Sequence, residues 1–368
     1  MKVLHLLDSV NRGGAEAQAL DVCRNAERFG LEMTLVTANG GTLENEFKES
    51  GADYIRLNRK LPIDLSYAKQ LRKIIKEHEI EIVHGYQAVD GLHLYLATRG
   101  LKSVKRVLSF QGFIADRRNR LVSKFLIPRM DANIAVSRSM QNWLRDVDGL
   151  NTDRNFSVIY NGADPERVKP TDNSFRYEMN FPPDALLIGM IGNFYRDPRK
   201  DQLTVCRALP AVFAEFKNAH CVFAGRIEDG AEGKMADCLN VCIENGIADR
   251  VHFLGGRSDV PDILAALDVF VFSSLHEGLP VAVSEAMLAD VPMIVSDIGP
   301  LLEATGDGEF AEVFRVGKED ELAEKLRHLL HDSAARDDLR QRAKQFALEN
   351  FSIDAHMREL VALYKSFK

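Results

Sequence analysis

The chain has 368 residues and a formal net charge of −7 at pH 7, a length that suits about two domains of ordinary size. Apolar residues make up 46% and charged residues 27%, which is typical of globular proteins and excludes a disordered chain. Its apolar runs stay well below the ~18 residues of a membrane-spanning helix. The chain enters a strand-like segment at once, without a signal-peptide pattern, so we expect a cytoplasmic protein.

Charge and cysteine usage restrict the partners further. Residues 1–165 are net basic, whereas the remainder is strongly acidic. A basic first half suits an acidic or membrane-surface acceptor, or it is only a differently charged solvated surface. We predict no nucleic-acid partner. The five cysteines lack metal-site spacing and are expected to be buried thiols.

Strand-like and helix-like segments alternate along the first half. The predicted strands are 3–7, 33–37, 54–57, 82–84, 106–110, 133–136 and 157–160. The predicted helices are 15–29, 43–50, 66–78, 91–99 and 138–147. This alternation predicts right-handed βαβ units and a parallel sheet.

The second half repeats the alternation. Its predicted strands are 186–191, 219–224, 251–254, 269–272 and 293–296. Its predicted helices are 202–216, 233–245, 260–266, 281–289 and 320–330. Turn formers and two prolines at 161–170 mark the boundary, so we predict doubly wound α/β domains at 1–165 and 166–349. The pattern of the last segment, residues 334–368, predicts two amphipathic helices that are broken near 350–352.

One strand and the helix after it frame a candidate ligand site. The apolar run Val269–Phe272 predicts a buried strand, a loop with Glu277 follows, and Glu285 lies about one turn into the next helix. Pro280 suits the first helical turn, where a missing N–H costs nothing. Ligands bind at the carboxyl ends of strands in open α/β sheets, and free helix N–H groups favour phosphate.

Two further strand-to-helix loops carry ligand-binding chemistry. Gly13 and Gly14 open the first helix, where the backbone can approach an anion closely, although the segment can also be a plain turn. The loop at 193–202 offers Arg196, Arg199 and Lys200, and fixed cations stabilise the charge that develops on a leaving phosphate. Because the chain has no G-x-G-x-x-G fingerprint, the pattern disfavours a nicotinamide enzyme.

The segment from 268 to 287, with E-G-L-P and then E-A-M, resembles the E-x7-E signature of retaining nucleotide-sugar glycosyltransferases of family four. The resemblance covers nearly the whole chain, and it implies a GT-B fold in which two Rossmann-like domains face a deep cleft. It also implies that the C-terminal helix, 350–368, crosses back onto the N-terminal domain, which binds the acceptor. The C-terminal domain would bind the nucleotide sugar.

The resemblance assigns roles to these positions. Glu277, Lys200 and Arg196 are the predicted catalytic residues, with Glu277 near the transferred sugar. The predicted donor-binding residues, of which Glu285 contacts the ribose hydroxyls, are Gly14, Asn193, Arg199, Arg257, Gly278, Leu279 and Glu285. Asn193 departs from the family pattern, which has arginine there, and either Arg196 or Arg199 is expected to compensate.

Two residues of the first half are predicted on the acceptor and sugar side. His84 ends a strand, and a lone histidine at such a place is otherwise structural. Gln111 stands where many relatives carry histidine, and it donates a hydrogen bond but carries no charge. The segment 113–129 is basic and amphipathic, so it predicts either peripheral contact with an anionic membrane or a helix with a charged outer face.

The resemblance implies a retaining glycosyltransferase with a UDP- or GDP-linked donor and a glycan, lipid-linked or small-molecule acceptor. No cofactor and no metal are predicted, because basic side chains and helix dipoles supply the countercharge. Two alternatives stay open. One is a GT-B sugar-nucleotide epimerase, and the other is a non-catalytic nucleotide-sugar-binding subunit, which the changes at Asn193 and Gln111 suggest.

Overall fold

The computed structural model describes residues 1–114, 116–172 and 174–367, so Lys368 of the predicted tail lies outside the described residues. The chain forms two compact units. Unit 1 comprises Met1–Gly162 and the chain from Ile353 onward, and unit 2 comprises Ala163–Ser352. Each unit has its own parallel sheet.

Unit 1 is built on strands that lie largely in its interior. They are β1 Lys2–Leu7, β2 Glu32–Thr37, β3 Asp53–Arg56, β4 Ile82–Gly85, β5 Lys105–Phe110, β6 Ala132–Ala135 and β7 Phe156–Val158. The helices between them are α1 Gly14–Asn25, α2 Glu44–Lys48, α3 Leu65–Glu77, α4 Ala88–Thr98, α5 Arg117–Leu126 and α6 Arg138–Asp146. The sheet is parallel with the order β3-β2-β1-β4-β5-β6-β7.

Unit 2 repeats this plan. Its strands are β8 Leu186–Ile191, β9 Ala219–Ala224, β10 Val251–Gly255, β11 Val269–Phe272, β12 Met293–Ser296 and β13 Glu312–Phe314. Its helices are α7 Phe175–Glu178, α8 Gln202–Glu215, α9 Glu232–Glu244, α10 Val260–Ala266, α11 Val281–Leu288, α12 Gly299–Ala304, α13 Glu319–His331 and α14 Ser333–Asn350. The sheet order is β10-β9-β8-β11-β12-β13.

Helices cover both faces of each sheet, because successive side chains of a buried strand point to opposite faces. In unit 2, Val269 and Val271 of β11 pack into one apolar cluster with α8 and α13. Phe270 and Phe272 alternate with them, and their rings stack with centroids 5.9 Å apart. In unit 1, α1 packs into one cluster and α3 and α4 pack into a second one. The predicted doubly wound α/β class is confirmed.

The elements that the sequence did not predict are short. The strand β13 was not predicted, because it is three residues long and only Phe314 in it is buried. The helices α7 and α12 are four and six residues long, too short for a helical period to show. The strand predicted at 157–160 is β7, which ends at Val158. The five cysteines are free and buried, as predicted.

The C-terminal segment has the predicted break, since α14 ends at Asn350 and α15 runs over Ile353–Lys365. The helix α15 belongs to unit 1, where it packs against α1. Its residues Met357 and Tyr364 are fully buried, and Asp354 forms an ion pair with Arg28 at 3.2 Å. The last helix therefore completes one face of the first sheet.

Candidate active site

The candidate site lies in unit 2, where the strand order reverses between the neighbours β8 and β11. Loops that leave the carboxyl ends of strands diverge at such a reversal and leave room for a ligand. Here the two loops are joined by backbone hydrogen bonds. The Leu275 N–H donates to the Arg199 carbonyl at 2.7 Å, and the Asp201 N–H donates to the Ser273 carbonyl at 3.1 Å.

These bonds bring Lys200 and Glu277 together, 77 positions apart in sequence, in an ion pair between Nζ and Oε1. Both side chains are about nine-tenths buried. The Lys200 Nζ also lies 3.9 Å from the centroid of the Phe272 ring, a cation–π contact. Burial lowers the pKa of Lys200 from its ordinary value, and the adjacent Glu277 carboxylate opposes this shift. A fixed cation is thus held at the carboxyl end of the sheet.

Ser274 was missed at the sequence level, and it orients this pair. Its hydroxyl lies 2.7 Å from Glu277 Oε1 and 2.5 Å from the carbonyl of Arg199. The signal was the Ser-Ser that ends the apolar run of β11, which places a hydroxyl at the carboxyl end of the strand. Ser274 therefore links the two loops and the catalytic candidates.

Glu285 lies in α11, with only 8% of its surface exposed. Its Oε1 forms an ion pair at 2.8 Å with Arg167, a residue that the sequence prediction passed over. Gly278 and Leu279 are buried in the chain that leads into this helix. Pro280 caps α11, so the helix begins at the loop that carries Glu277 and directs its first N–H groups there.

Asn193, predicted to bind the donor, connects two loops in the structure. Its Oδ1 accepts a hydrogen bond from the Arg226 backbone N–H at 2.9 Å, and Arg226 follows β9. Gly225 permits this approach, because a Cβ there would lie 2.2 Å from the Gly192 carbonyl oxygen. An arginine at 193 could not make this short amide-to-backbone link.

The two arginines proposed to compensate for Asn193 lie in different surroundings. Arg196 is exposed, and its Nε donates to the Asp229 carbonyl at 3.0 Å. Arg199 pairs with Asp197 at 2.5 Å and stacks over the Tyr195 ring at 4.6 Å. The hydrogen bonds that the Arg199 guanidinium donates to the Asp197 carboxylate raise the pKa of Arg199, and the negative charge of Glu277 raises it further by a smaller amount.

Arg199 precedes Lys200, and its carbonyl accepts hydrogen bonds from the Leu275 N–H and the Ser274 hydroxyl, so Arg199 lies where the two loops that carry Lys200 and Glu277 join. The contacts of Arg196 are instead with the loop after β9, at Glu228 and Asp229. Of the two, Arg199 is the better candidate to compensate. Arg257, predicted to bind the donor, forms an ion pair with Asp259 at 2.5 Å on the loop after β10.

Unit 1 places Gly14 at the first position of α1, directly after the extended Gly13. The Glu16 carboxylate folds back over Gly13 so closely that a Cβ there would lie 2.5 Å from Oε2. Gln111 is partly buried, and its Oε1 accepts a hydrogen bond from Asn161 Nδ2 at 3.0 Å. The Glu16 carboxylate thus occupies the space over Gly13, and the role of Gly14 in donor binding stays a prediction.

His84 lies in the core, with 2% of its surface exposed. Its Nδ1 is 2.6 Å from the Tyr364 hydroxyl and its Nε2 is 2.7 Å from the Ser109 hydroxyl. Burial lowers its pKa well below the ordinary value. Since both ring nitrogens are engaged inside the protein, this geometry favours the structural role, and we leave His84 out of the candidate site.

Within residues 1–114, 116–172 and 174–367, no group of three or more His, Cys, Asp or Glu side chains is arranged to hold a metal ion. In that same part of the chain, every helix falls short of the length and apolarity needed to cross a membrane.

Two family models match the chain. The model described as Glycosyltransferase Family 4 matches residues 12–167, and the model described as Glycosyl transferases group 1 matches residues 172–346. The first range falls within unit 1 except for its last few residues, and the second lies in unit 2.

Relatives and solved structures agree with these matches. The N-acetyl-alpha-D-glucosaminyl L-malate synthase of Bacillus anthracis is 25% identical over 312 residues, covering 82% of this chain and 79% of that protein. The UDP-Gal:alpha-D-GlcNAc-diphosphoundecaprenol alpha-1,3-galactosyltransferase of Escherichia coli is 26% identical over 315 residues, covering 81% and 78%. The crystal structure of Anabaena HepE with UDP and glucose matches with a TM-score of 0.86 at 19% identity over 100% of both chains. The chain therefore belongs to the family 4 glycosyltransferases and has their two Rossmann-like domains.

Proposed function

We propose that this glycosyltransferase is a retaining enzyme that transfers a sugar from a UDP- or GDP-linked donor to a glycan, lipid-linked or small-molecule acceptor without a metal ion. The observation that carries the proposal is the buried Lys200–Glu277 pair at the strand-order reversal, beside the beginning of α11. A cation, a carboxylate and a helix N-terminus there suit a sugar diphosphate.

The donor would lie with its diphosphate against Lys200 and the first N–H groups of α11. As the bond from the anomeric carbon to the phosphate oxygen breaks, negative charge grows on the departing diphosphate. A fixed cation stabilises that charge more in the transition state than in the bound donor. Arg199, the residue before Lys200, adds positive charge on the same loop.

Glu277 would face the sugar. The acceptor hydroxyl attacks from the side of the leaving group, so the new carbon–oxygen bond forms where the old one breaks and the configuration is retained. The acceptor proton passes to the departing phosphate oxygen, and the Glu277 carboxylate stabilises the positive charge at the anomeric carbon. Lys200, Arg199 and α11 supply the countercharge that a metal ion would otherwise provide.

The names of the relatives support this donor and acceptor chemistry. HepE was crystallised with UDP and glucose, and the E. coli relative is named for a UDP-linked sugar and a diphosphoundecaprenol-linked acceptor. In this chain Lys200, Glu277 and Glu285 lie in unit 2, which the group 1 model matches. We infer a donor site in unit 2 and an acceptor site in unit 1.

A thermal-shift screen of UDP- and GDP-sugars tests the donor assignment. A donor at about 100 times its Kd stabilises the folded chain by about 2.7 kcal/mol, so we expect a clear rise in Tm for one base and a small set of sugars. EDTA should leave that rise unchanged. A screen in which no nucleotide sugar raises Tm would contradict the proposal.

An assay of the same donor without acceptor distinguishes a transferase from an epimerase and from a non-catalytic subunit. Slow release of the nucleoside diphosphate is expected of a transferase, because water replaces the acceptor. Appearance of an epimeric sugar would instead identify an epimerase. Binding without any turnover, with or without a lipid-linked glycan pool, would identify a non-catalytic subunit.

Peripheral membrane contact through 113–129 is the second part of the proposal, and Ala115 of that segment lies outside the described residues. The helix α5 exposes Leu121 and Phe125 at 59% and 41%, and the Arg129 guanidinium lies 3.9 Å from the centroid of the Phe125 ring. Arg117, Arg118 and Lys124 are exposed on the same helix. An apolar strip among cations suits an anionic interface.

Sedimentation with phosphatidylglycerol vesicles measures this contact. The double variant Leu121→Glu, Phe125→Glu should lower the bound fraction several-fold. It removes two apolar side chains from the contact and adds negative charge to the protein, which the anionic lipid surface repels. Tyr177→Glu is the control, because Tyr177 is 86% exposed in unit 2. Equal binding of the double variant and the control would refute membrane contact through α5.

A further inference from the structure

Arg167 lies in a short turn that fixes its position. The Asp164 carbonyl accepts hydrogen bonds from the N–H groups of Arg167 at 3.0 Å and Val168 at 3.2 Å. The Asp164 side chain also accepts from the Glu166 N–H at 2.9 Å. Val168 is buried with 2% of its surface exposed. The turn therefore anchors the chain at Val168 and presents the preceding arginine at a defined place.

On both sides of this turn, the backbone is hydrogen-bonded to other segments of unit 2. The Ala163 N–H donates to the Phe351 carbonyl at 2.9 Å, and the Thr171 N–H donates to the Asp262 carboxylate at 2.6 Å. Between these two attachments, the Arg167 Nη1 lies 2.8 Å from Glu285 Oε1. Side-chain exposure is 22% for Arg167 and 11% for Glu285, so water screens this ion pair only in part.

We propose that Arg167 is a positioning residue that gives the donor site its selectivity for ribose hydroxyls. It holds Glu285 Oε1, and because a carboxylate is planar, this contact also sets the direction of Oε2. The inference rests on the proposed function, in which Glu285 accepts hydrogen bonds from the vicinal hydroxyls of the nucleotide ribose. Arg167 then acts on the nucleotide only through Glu285.

Loss of the guanidinium changes the carboxylate in a predictable way. A buried carboxylate that has lost its cation turns toward solvent. In that orientation it presents a worse acceptor to a diol, whereas contacts to the base and the diphosphate are unaffected. The energetic loss should therefore be confined to nucleotides that carry both ribose hydroxyls.

Isothermal titration calorimetry of the full chain tests the role of Arg167. The ligands are UDP, GDP and their 2′,3′-dideoxy forms. The wild-type chain should bind the ribonucleotide at least about tenfold more tightly than the dideoxy form, since hydrogen bonds to a charged group are strong. In Arg167→Met that preference should fall to about twofold or less, while the Kd of the dideoxy nucleotide stays the same. Arg167→Lys keeps the charge without the planar fork and should lose part of the preference.

Arg340→Met is the matched control. It removes an ion pair at 2.6 Å with Asp290, just beyond the other end of α11, and it should lower Tm while leaving the ribose preference intact. If Arg167→Met weakens both nucleotide forms by one factor, or keeps the wild-type preference, the inference is overturned. A wild-type chain that binds neither UDP nor GDP overturns the proposed function as well, and this outcome is separate from the other two.

Discussion

Replacing Lys200 with alanine is expected to lower kcat by about 10²–10³-fold, the usual effect of removing one preorganised charge-stabilising group. The expected change in the Kd of the donor is smaller, because the charge that Lys200 stabilises grows as the diphosphate leaves. Steady-state turnover with the donor identified by thermal shift, together with titration of that donor, measures the two effects separately.

The same substitution also leaves Glu277 buried without its cation, which typically costs about 3–5 kcal/mol. Lys200→Met combined with Glu277→Gln removes both charges and should recover most of the stability without recovering turnover. Lys169→Ala is the control, since Lys169 pairs with Glu166 on the exposed surface of unit 2. Full turnover in a folded Lys200→Ala chain would show that this lysine does not serve the leaving group.

The wild-type pH profile follows from the direction of the Lys200 pKa. Burial lowers that pKa, so the ammonium loses its proton at a lower pH than an exposed lysine does. Turnover should therefore decline on the alkaline side, beginning below pH 10.5, as the fixed charge is lost.

Acid is expected to destabilise unit 1 strongly, because three histidines are buried there in their neutral form. Burial lowers the pKa of His5 to about 3 and that of His356 to about 4, and it lowers the pKa of His84 well below 6.5. In the unfolded chain they titrate near 6.5. Between about pH 6.5 and 4 the unfolded state thus binds more protons, so stability is present above this window and is lost as the pH falls through it.

These histidines connect β1, β4 and α15. The Tyr364 hydroxyl is shared by His5 and His84, and the His356 Nδ1 lies 2.7 Å from the Tyr160 carbonyl. Each histidine contributes a slope of about 1.4 kcal/mol per pH unit to the free energy of unfolding inside the window. Urea unfolding between pH 7.5 and 5 measures the sum.

A pair of substitutions isolates one of the three contributions. His356→Gln keeps a hydrogen-bonding side chain and should reduce the slope by about one proton. Tyr177→Gln introduces the same side chain at an exposed residue of unit 2 and should leave the slope unchanged. A midpoint that stays constant from pH 7.5 to 5, or a slope unaffected by His356→Gln, would contradict this account.

Most of the fold could be predicted because buried parallel strands read as apolar runs, as β8 and β11 do, and because the helices between them keep a regular period. The short elements β13, α7 and α12 gave no such pattern. The order of the strands, and with it the reversal between β8 and β11, depends on pairings that local sequence does not specify.

The candidate site was predictable where one segment carries its own context, as with Glu277 and Glu285. Contacts between segments that are far apart in the sequence could not be predicted. His84 was expected either on the acceptor and sugar side or in a structural role, and the contact that favours the structural role is with Tyr364, 280 positions away. Arg167 lay in a segment whose turn formers and prolines indicated only a boundary, and its carboxylate partner is on another element.

A crystal structure of the chain soaked with UDP or GDP, whichever raises Tm, tests the central claim most directly. The account predicts the diphosphate within hydrogen-bonding distance of Lys200 Nζ and the first N–H groups of α11, with the ribose hydroxyls on Glu285. A nucleotide bound elsewhere, with the Lys200–Glu277 pair buried and untouched, would contradict it.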